Sequence, residues 1–137
     1  MTRKGPQRKR VLVVEDDCLL AEILCDVLAD YDVKVVGPAP TVEKALMLIE
    51  DRSLDAALLD IRLDEGTVFP VCESLAARNI PFAFVSGSLD ERPRKFNDIP
   101  VLAKPFQRDG VLALLKALLE SGHAIRADQA SSTRRRP

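Results

Sequence analysis

Val11-Leu12-Val13-Val14-Glu15-Asp16-Asp17 is a run of four apolar residues that stops on three acids. A short, continuous apolar run with sharp ends is the pattern of a strand covered on both faces. Leu20, Ile23, Leu24, Val27, Leu28 and Tyr31 then recur at helical spacing, and Asp17 is suited to cap that helix. The same alternation continues outward. Val33-Lys34-Val35-Val36-Gly37 reads as a second strand closed by Gly37-Pro38, and Thr41 can cap a helix carrying Val42, Ala45, Leu46 and Ile49 on one face. Asp55-Ala56-Ala57-Leu58-Leu59-Asp60 is a third strand, again ending in an acid. Beyond the loop Leu63-Asp64-Glu65-Gly66-Thr67, a helix turns Val71, Cys72, Leu75 and Ala76 inward, with Pro70 tolerated in its first turn. Ile80-Pro81-Phe82-Ala83-Phe84-Val85 is the fourth strand, closing at Ser86-Gly87-Ser88, and Pro100-Val101-Leu102-Ala103 is the fifth. A last helix runs from Gln107 to Glu120, with Val111, Leu114, Leu115 and Leu118 inward.

Five strand–helix alternations call for an α/β, doubly wound parallel sheet with helices on both faces. The connection from the fourth strand to the fifth, Leu89 to Ile99, contains Pro93 and few apolar positions, so the fourth helix is expected to be short or disordered.

A chain of 137 residues suits one domain, and 47% apolar with 30% charged residues is a globular composition. No apolar run approaches the roughly 18 residues that span a bilayer, and no secretory signal is present, so a cytoplasmic location is expected. The net charge of −1 is unevenly spread. Residues 1–10 carry five positive charges and 121–137 sum to +3, which leaves residues 11–120 at −9. An acidic core argues against nucleic-acid binding by the core, and the basic ends read as solvated. The expected organisation is a basic N-terminal arm over 1–8, a folded domain over 9–120 and a disordered tail over 121–137. Cys18, Cys25 and Cys72 form no CxxC motif, and their odd count fits a reducing compartment. Cys18 and Cys25, seven apart on one helical face, read as small core residues.

In a doubly wound sheet, ligands collect at the carboxyl ends of the strands. Strand one delivers Glu15 and Asp16 there, strand three Asp60, strand four Ser86 and strand five Lys104. Taken singly, the acids could be helix-terminal or turn residues, Ser86-Gly87 a turn and Lys104 a surface charge. Together, at four strand ends, they define a site. Three clustered carboxylates need a cation, and oxygen-only donors select a hard ion such as Mg²⁺. A lysine and a hydroxyl opposite the metal can hold the remaining oxygens of a phosphoryl group, with Asp60 as the natural nucleophile.

These residues resemble the receiver domain of two-component response regulators over about residues 9 to 120. Val13-Val14-Glu15-Asp16-Asp17 is similar to the acidic motif of the family's first strand, Leu58-Leu59-Asp60 to its phosphoacceptor strand, Phe84-Val85-Ser86-Gly87 to its Ser/Thr motif and Lys104-Pro105-Phe106 to its Lys-Pro motif. The resemblance implies a flavodoxin-like (βα)5 fold of strand order 2-1-3-4-5, an order the family shares with flavodoxin. It implies that Asp60 accepts a phosphoryl group from a sensor histidine kinase or histidine phosphotransfer protein. Asp16, Asp60 and the backbone carbonyl of Arg62 would hold Mg²⁺, with Glu15 acting through water. Ser86 and Lys104 would attend the phosphoryl group, and the Lys104-Pro105 bond would be cis. Three features depart from the common pattern. Leu63-Asp64-Glu65-Gly66 replaces the usual Met-Pro and Asp-Gly elements, Val101 stands where many receivers carry an aromatic residue, and the stretch between strands four and five is short. These make the chain partly similar to a short-form subgroup with a Phe-Ala-Thr-Gly-hydrophobic-Tyr signature (the FAT GUY subgroup). Phe84 and Gly87 fit that signature, Ser86 substitutes for its Thr, and Ser88 and Leu89 do not fit.

The implied function is that of a stand-alone response regulator in a phosphorelay. It would undergo Mg²⁺-dependent, self-catalysed phosphorylation and slow dephosphorylation, signal by altered binding to a downstream protein, and not be a conventional enzyme. The alternative is a receiver-like protein-binding module that never carries phosphate. A phosphatase of the haloacid-dehalogenase type is disfavoured, because Arg62 occupies the place of its second Asp and the chain leaves no room for a cap domain. Membrane association is not expected, and homodimerisation through the last helix and fifth strand stays open.

Overall fold

The computed structural model describes residues 8–63, 66–87, 92 and 94–120. In chain order the elements are β1 (Arg10–Val14), α1 (Cys18–Asp30), β2 (Lys34–Ala39), α2 (Val42–Asp51), β3 (Ala56–Leu59), β4 (Arg62–Leu63), β5 (Gly66–Thr67), α3 (Phe69–Ala77), β6 (Phe82–Ser86) and β7 (Val101–Ala103). A final helix, α4, covers residues 108–120. The main sheet has the order β2-β1-β3-β6-β7, with every neighbouring pair parallel. Counted over its five strands alone, this is the order 2-1-3-4-5 of a flavodoxin-like doubly wound sheet.

Strand side chains alternate between two cores, as a pleated sheet requires. Leu12, Val14, Ala57, Leu59, Phe82 and Phe84 face one side, with Ala45 and Ile49 of α2 and Val71, Cys72 and Leu75 of α3. Val11, Val13, Ala56, Leu58, Ala83 and Val85 face the other, with Leu24, Val27 and Leu28 of α1 and Val111, Leu115 and Leu118 of α4. Burial on both faces explains why the strands read as continuous apolar runs. The helix starts follow the capping chemistry. Asp17 Oδ1 accepts from the amides of Leu19 and Leu20 at 3.0 and 3.1 Å, and Thr41 Oγ1 accepts from the Lys44 amide at 3.1 Å.

Several expectations need correction. β2 does not close at Gly37-Pro38 but runs through it to Ala39, with Gly37 at φ 101°. The loop after β3 holds a two-stranded antiparallel ladder, pairing Arg62 with Thr67 and Leu63 with Gly66, because Leu63 is buried and draws the chain back toward the core. Asp64 and Glu65 lie outside the described residues. On α1 the buried face is Ala21, Leu24, Val27 and Leu28, whereas Ile23 and Tyr31 are exposed. Cys18 is exposed and Cys25 only half-buried, so of the cysteines only Cys72 is a core residue. Ala76 also faces outward.

Between β6 and β7, the described residues contain a 3-10 turn, Arg94–Phe96, in place of a fourth helix. Phe96 is buried and packs on Phe82, Phe84 and Phe69, with ring centroids 5.9, 6.4 and 6.2 Å away. Arg92 Nη1 donates to the Ile99 carbonyl at 2.7 Å, and Lys95 pairs with Glu73 of α3. Residues 88–91 and 93 lie outside the described residues, as do the tail at 121–137 and the N-terminal arm apart from Arg8. Among the described residues, no helix is long and apolar enough to cross a membrane.

Candidate functional site

Parallel strands deliver their carboxyl ends to one edge, and the register sets how far each reaches along it. Val14 lies opposite Leu59, Leu59 opposite Phe84, and Ser86 opposite Ala103. Glu15 and Asp60 therefore leave their strands at one level, beside Val85, while Ser86 lies one residue and Lys104 two residues further along the same edge. The Asp60 amide donates to the Val14 carbonyl at 2.9 Å, and the Lys104 amide donates to the Ser86 carbonyl at 2.9 Å. On the far side of β1, the Glu15 amide donates to the Ala39 carbonyl at 3.0 Å.

Glu15, Asp16 and Asp60 each contribute a carboxylate oxygen to a group whose members all lie within 4.8 Å of one another. Glu15 and Asp60 are buried, at 2% and 7% exposure, and Ser86 is buried at the end of β6. Lys104 Nζ lies 3.2 Å from Asp60 Oδ2 and 3.3 Å from Glu15 Oε1, and the Lys104-Pro105 bond is cis. Backbone amides hold the other carboxylate oxygens. Asp60 Oδ1 accepts from the Arg62 amide at 3.3 Å, and Glu15 Oε2 accepts from the Asp17 amide at 3.1 Å. Arg62 is exposed at the start of the β4–β5 ladder. The structure thus brings Glu15, Asp16, Asp60 and Lys104 into one cluster, with Ser86 and Arg62 bonded through their backbones to its members.

The electrostatics follow from crowding acids in a buried place. Burial pushes the Glu15 carboxyl up to about 7. The Asp17 amide opposes that rise, the Asp60 charge adds to it, and Lys104 offsets a smaller part. Burial works against the Lys104 ammonium, but Asp60 and Glu15 outweigh it and hold its pKa above the ordinary lysine value.

One acceptor remains unmet. Glu15 Oε1 is buried and receives no hydrogen bond, although the Lys104 ammonium is within ion-pair range. A buried acceptor without a donor is costly. Three carboxylates facing one ammonium also leave negative charge uncompensated. A hard divalent cation answers both needs, and a donor set made only of oxygens suits Mg²⁺.

Sequence reasoning placed the acids but missed their supports. The Ala39 carbonyl under Glu15 went unseen because Gly37-Pro38 reads as a stop. The Arg62 amide on Asp60 had no signal, because a backbone donor is blind to residue type.

A parallel sheet of this order with acids closing the first and third strands and a lysine closing the last defines a receiver-type α/β domain. Residues 11–116 match the family described as the response regulator receiver domain, and the chain belongs to that family. Its role is thereby placed in two-component signalling. It is similar to SdrG from Sphingomonas melonis Fr1, whose solution structure is 46% identical, covers 82% of this chain and 97% of SdrG, and superposes with a TM-score of 0.73. SdrG has also been solved in a BeF3-activated conformation, with 47% identity, coverage of 80% and 95%, and a TM-score of 0.69. A variant of the anti-anti-sigma factor PhyR from Bartonella quintana is 25% identical, with coverage of 86% of this chain and 51% of PhyR and a TM-score of 0.73. The transcriptional regulatory protein PdtaR of Mycobacterium tuberculosis H37Rv is 24% identical over 124 residues, covering 87% of this chain and 60% of PdtaR. The chain thus spans little more than half the length of PhyR and PdtaR.

Proposed function

We propose that Asp60 is the phosphoacceptor of a two-component phosphorelay, taking a phosphoryl group from a phosphohistidine on a sensor kinase or phosphotransfer protein in a Mg²⁺-dependent reaction. The observation that carries this reading is the buried Asp60 carboxylate, set between an ammonium at 3.2 Å and two further acids. The BeF3-activated form of the related SdrG supports it, since fluoroberyllate on a carboxylate has the shape of a phosphoryl group.

An Asp60 oxygen attacks phosphorus, the new P–O bond forms, and the P–N bond breaks with its electron pair returning to the donor imidazole. Asp16, Asp60 and the Arg62 carbonyl would hold the metal, with Glu15 one water away. When bound, the divalent cation neutralises charge on the phosphoryl oxygens. Lys104 pairs with a phosphoryl oxygen once Asp60 carries the acyl phosphate, and the Ser86 hydroxyl donates to another. The Arg62 amide keeps the Asp60 carboxylate oriented. Hydrolysis at the same site is slow and self-catalysed, so the chain acts as a timed switch rather than a turnover enzyme. Output is a change in protein binding, a mode favoured by the description of PhyR as an anti-anti-sigma factor.

A ³²P-labelled phosphohistidine donor should label the wild type in Mg²⁺ and should not label it in EDTA, nor label Asp60→Asn under either condition. Equal labelling of wild type and Asp60→Asn would remove Asp60 from this role. A wild type that stays unlabelled in Mg²⁺ would favour the phosphate-free binding module.

A further inference from the structure

β1 and β2 lose register where they approach the site. Leu12 lies opposite Val36 and Val14 opposite Ala39, so Val13 alone spans Gly37 and Pro38. An extra residue of this kind is a β-bulge, a device that re-aims the chain beside it. Here it carries the Ala39 carbonyl to the position where the Glu15 amide donates to it at 3.0 Å. Ala39 itself is fully buried.

Gly37 permits the bulge. Its φ of 101° is a conformation that side-chain-bearing residues rarely adopt. A Cβ at this position would meet the Ala39 nitrogen at 2.8 Å and the Val13 carbonyl oxygen at 3.0 Å. Both are backbone atoms, one on each strand that the bulge joins, and neither can rotate away as a side chain could. A larger residue must therefore displace Ala39 or part β2 from β1, and in either case the acceptor for the Glu15 amide moves.

We propose that Gly37 is a positioning residue of the acid site. By letting Ala39 hold the Glu15 backbone, it keeps the Glu15 carboxylate in the cluster with Asp16 and Asp60 that would take a hard divalent cation. Gly37 touches no ligand and acts entirely through Glu15. The inference rests on reading the acid cluster as a Mg²⁺ site, and it adds a residue outside the strand ends to that site's construction.

The test compares Mg²⁺ affinity, by NMR titration or calorimetry, with amide hydrogen exchange on the full chain. Gly37→Ala should bind Mg²⁺ roughly 10-fold more weakly, the lower end of the range for losing an outer-shell partner, because it displaces Glu15, which acts through water, and no direct ligand. The Glu15 amide should exchange faster in this variant, while Leu12 and Leu58 stay protected. Ile49→Val, a core truncation on the same side of the sheet, should lower stability without moving the affinity. A folded Gly37→Ala protein with wild-type Mg²⁺ affinity would overturn the proposal. Should Gly37→Ala not fold, the wild type still decides. Coupling between sites is reciprocal, so saturating Mg²⁺ must slow exchange at the Glu15 amide more than at Leu58, and a uniform effect overturns the role of Gly37. A wild type that binds no Mg²⁺ would instead remove the metal site itself, which separates that failure from this one.

Discussion

Glu15 is a buried carboxyl in contact with both an acid and an ammonium, so its proton is tied to the state of the whole cluster. Its carboxyl is raised from 4.5 to about 7 by burial first, then by the Asp60 charge. The folded chain therefore binds more protons than the unfolded chain between those values. Metal-free stability should fall as pH rises from about 4.5 to about 7 and then level off, as far as Glu15 governs it. Urea denaturation in EDTA at pH 5 and pH 7.5 checks the sign, and Glu15→Gln should flatten the slope. Lys104 is the counterweight. Lys104→Met leaves two buried carboxylates without the ammonium at 3.2 and 3.3 Å. Its cost in the metal-free protein should be about 1–3 kcal/mol at pH 7.5. The cost should shrink at pH 5, where Glu15 carries a proton, and the same denaturation series reads it.

Among the elements, the turn at Arg94–Phe96 depends most on one side chain. Phe96 reaches the aromatic group on β6 and α3, and within the described residues it is the buried anchor of a segment that carries little other apolar surface. Phe96→Ala should cost about 3 kcal/mol in equilibrium denaturation and should raise hydrogen exchange at 94–101 more than in α1. A loss under 1 kcal/mol would mean that the turn is held by the Arg92 and Lys95 contacts instead. The sequence foretold a short element here from Pro93 and the scarcity of apolar residues, but not the contact that secures it. Strands and site acids were legible for a common reason: an apolar run followed directly by Glu15, Asp60 or Lys104 fixes where the polar residue must emerge. What stayed hidden depends on long-range register. The β1–β2 bulge is decided by a strand distant in sequence, and the β4–β5 ladder, though it pairs residues only three and five apart, by the burial of Leu63 in the core, and no local periodicity encodes either.

For the whole molecule, the proposed cation binding would be linked to folding. An ion that binds the native chain and not the unfolded one stabilises it by about 2.7 kcal/mol at one hundred times its dissociation constant. Saturating Mg²⁺ should therefore raise the thermal midpoint of the wild type, EDTA should reverse the shift, and an Asp16→Asn/Asp60→Asn double variant should show none. Differential scanning calorimetry is the direct check. The fold also decides how these events can be watched. The chain contains no tryptophan and one tyrosine, Tyr31, which caps the carboxyl end of α1. The acids adjoin the amino end of that 13-residue helix, about 20 Å away. Native fluorescence is accordingly silent at the working edge, and an optical assay of ion or phosphoryl loading needs a reporter introduced by mutation; Phe96→Trp, in the aromatic group beside β6, is the natural first choice.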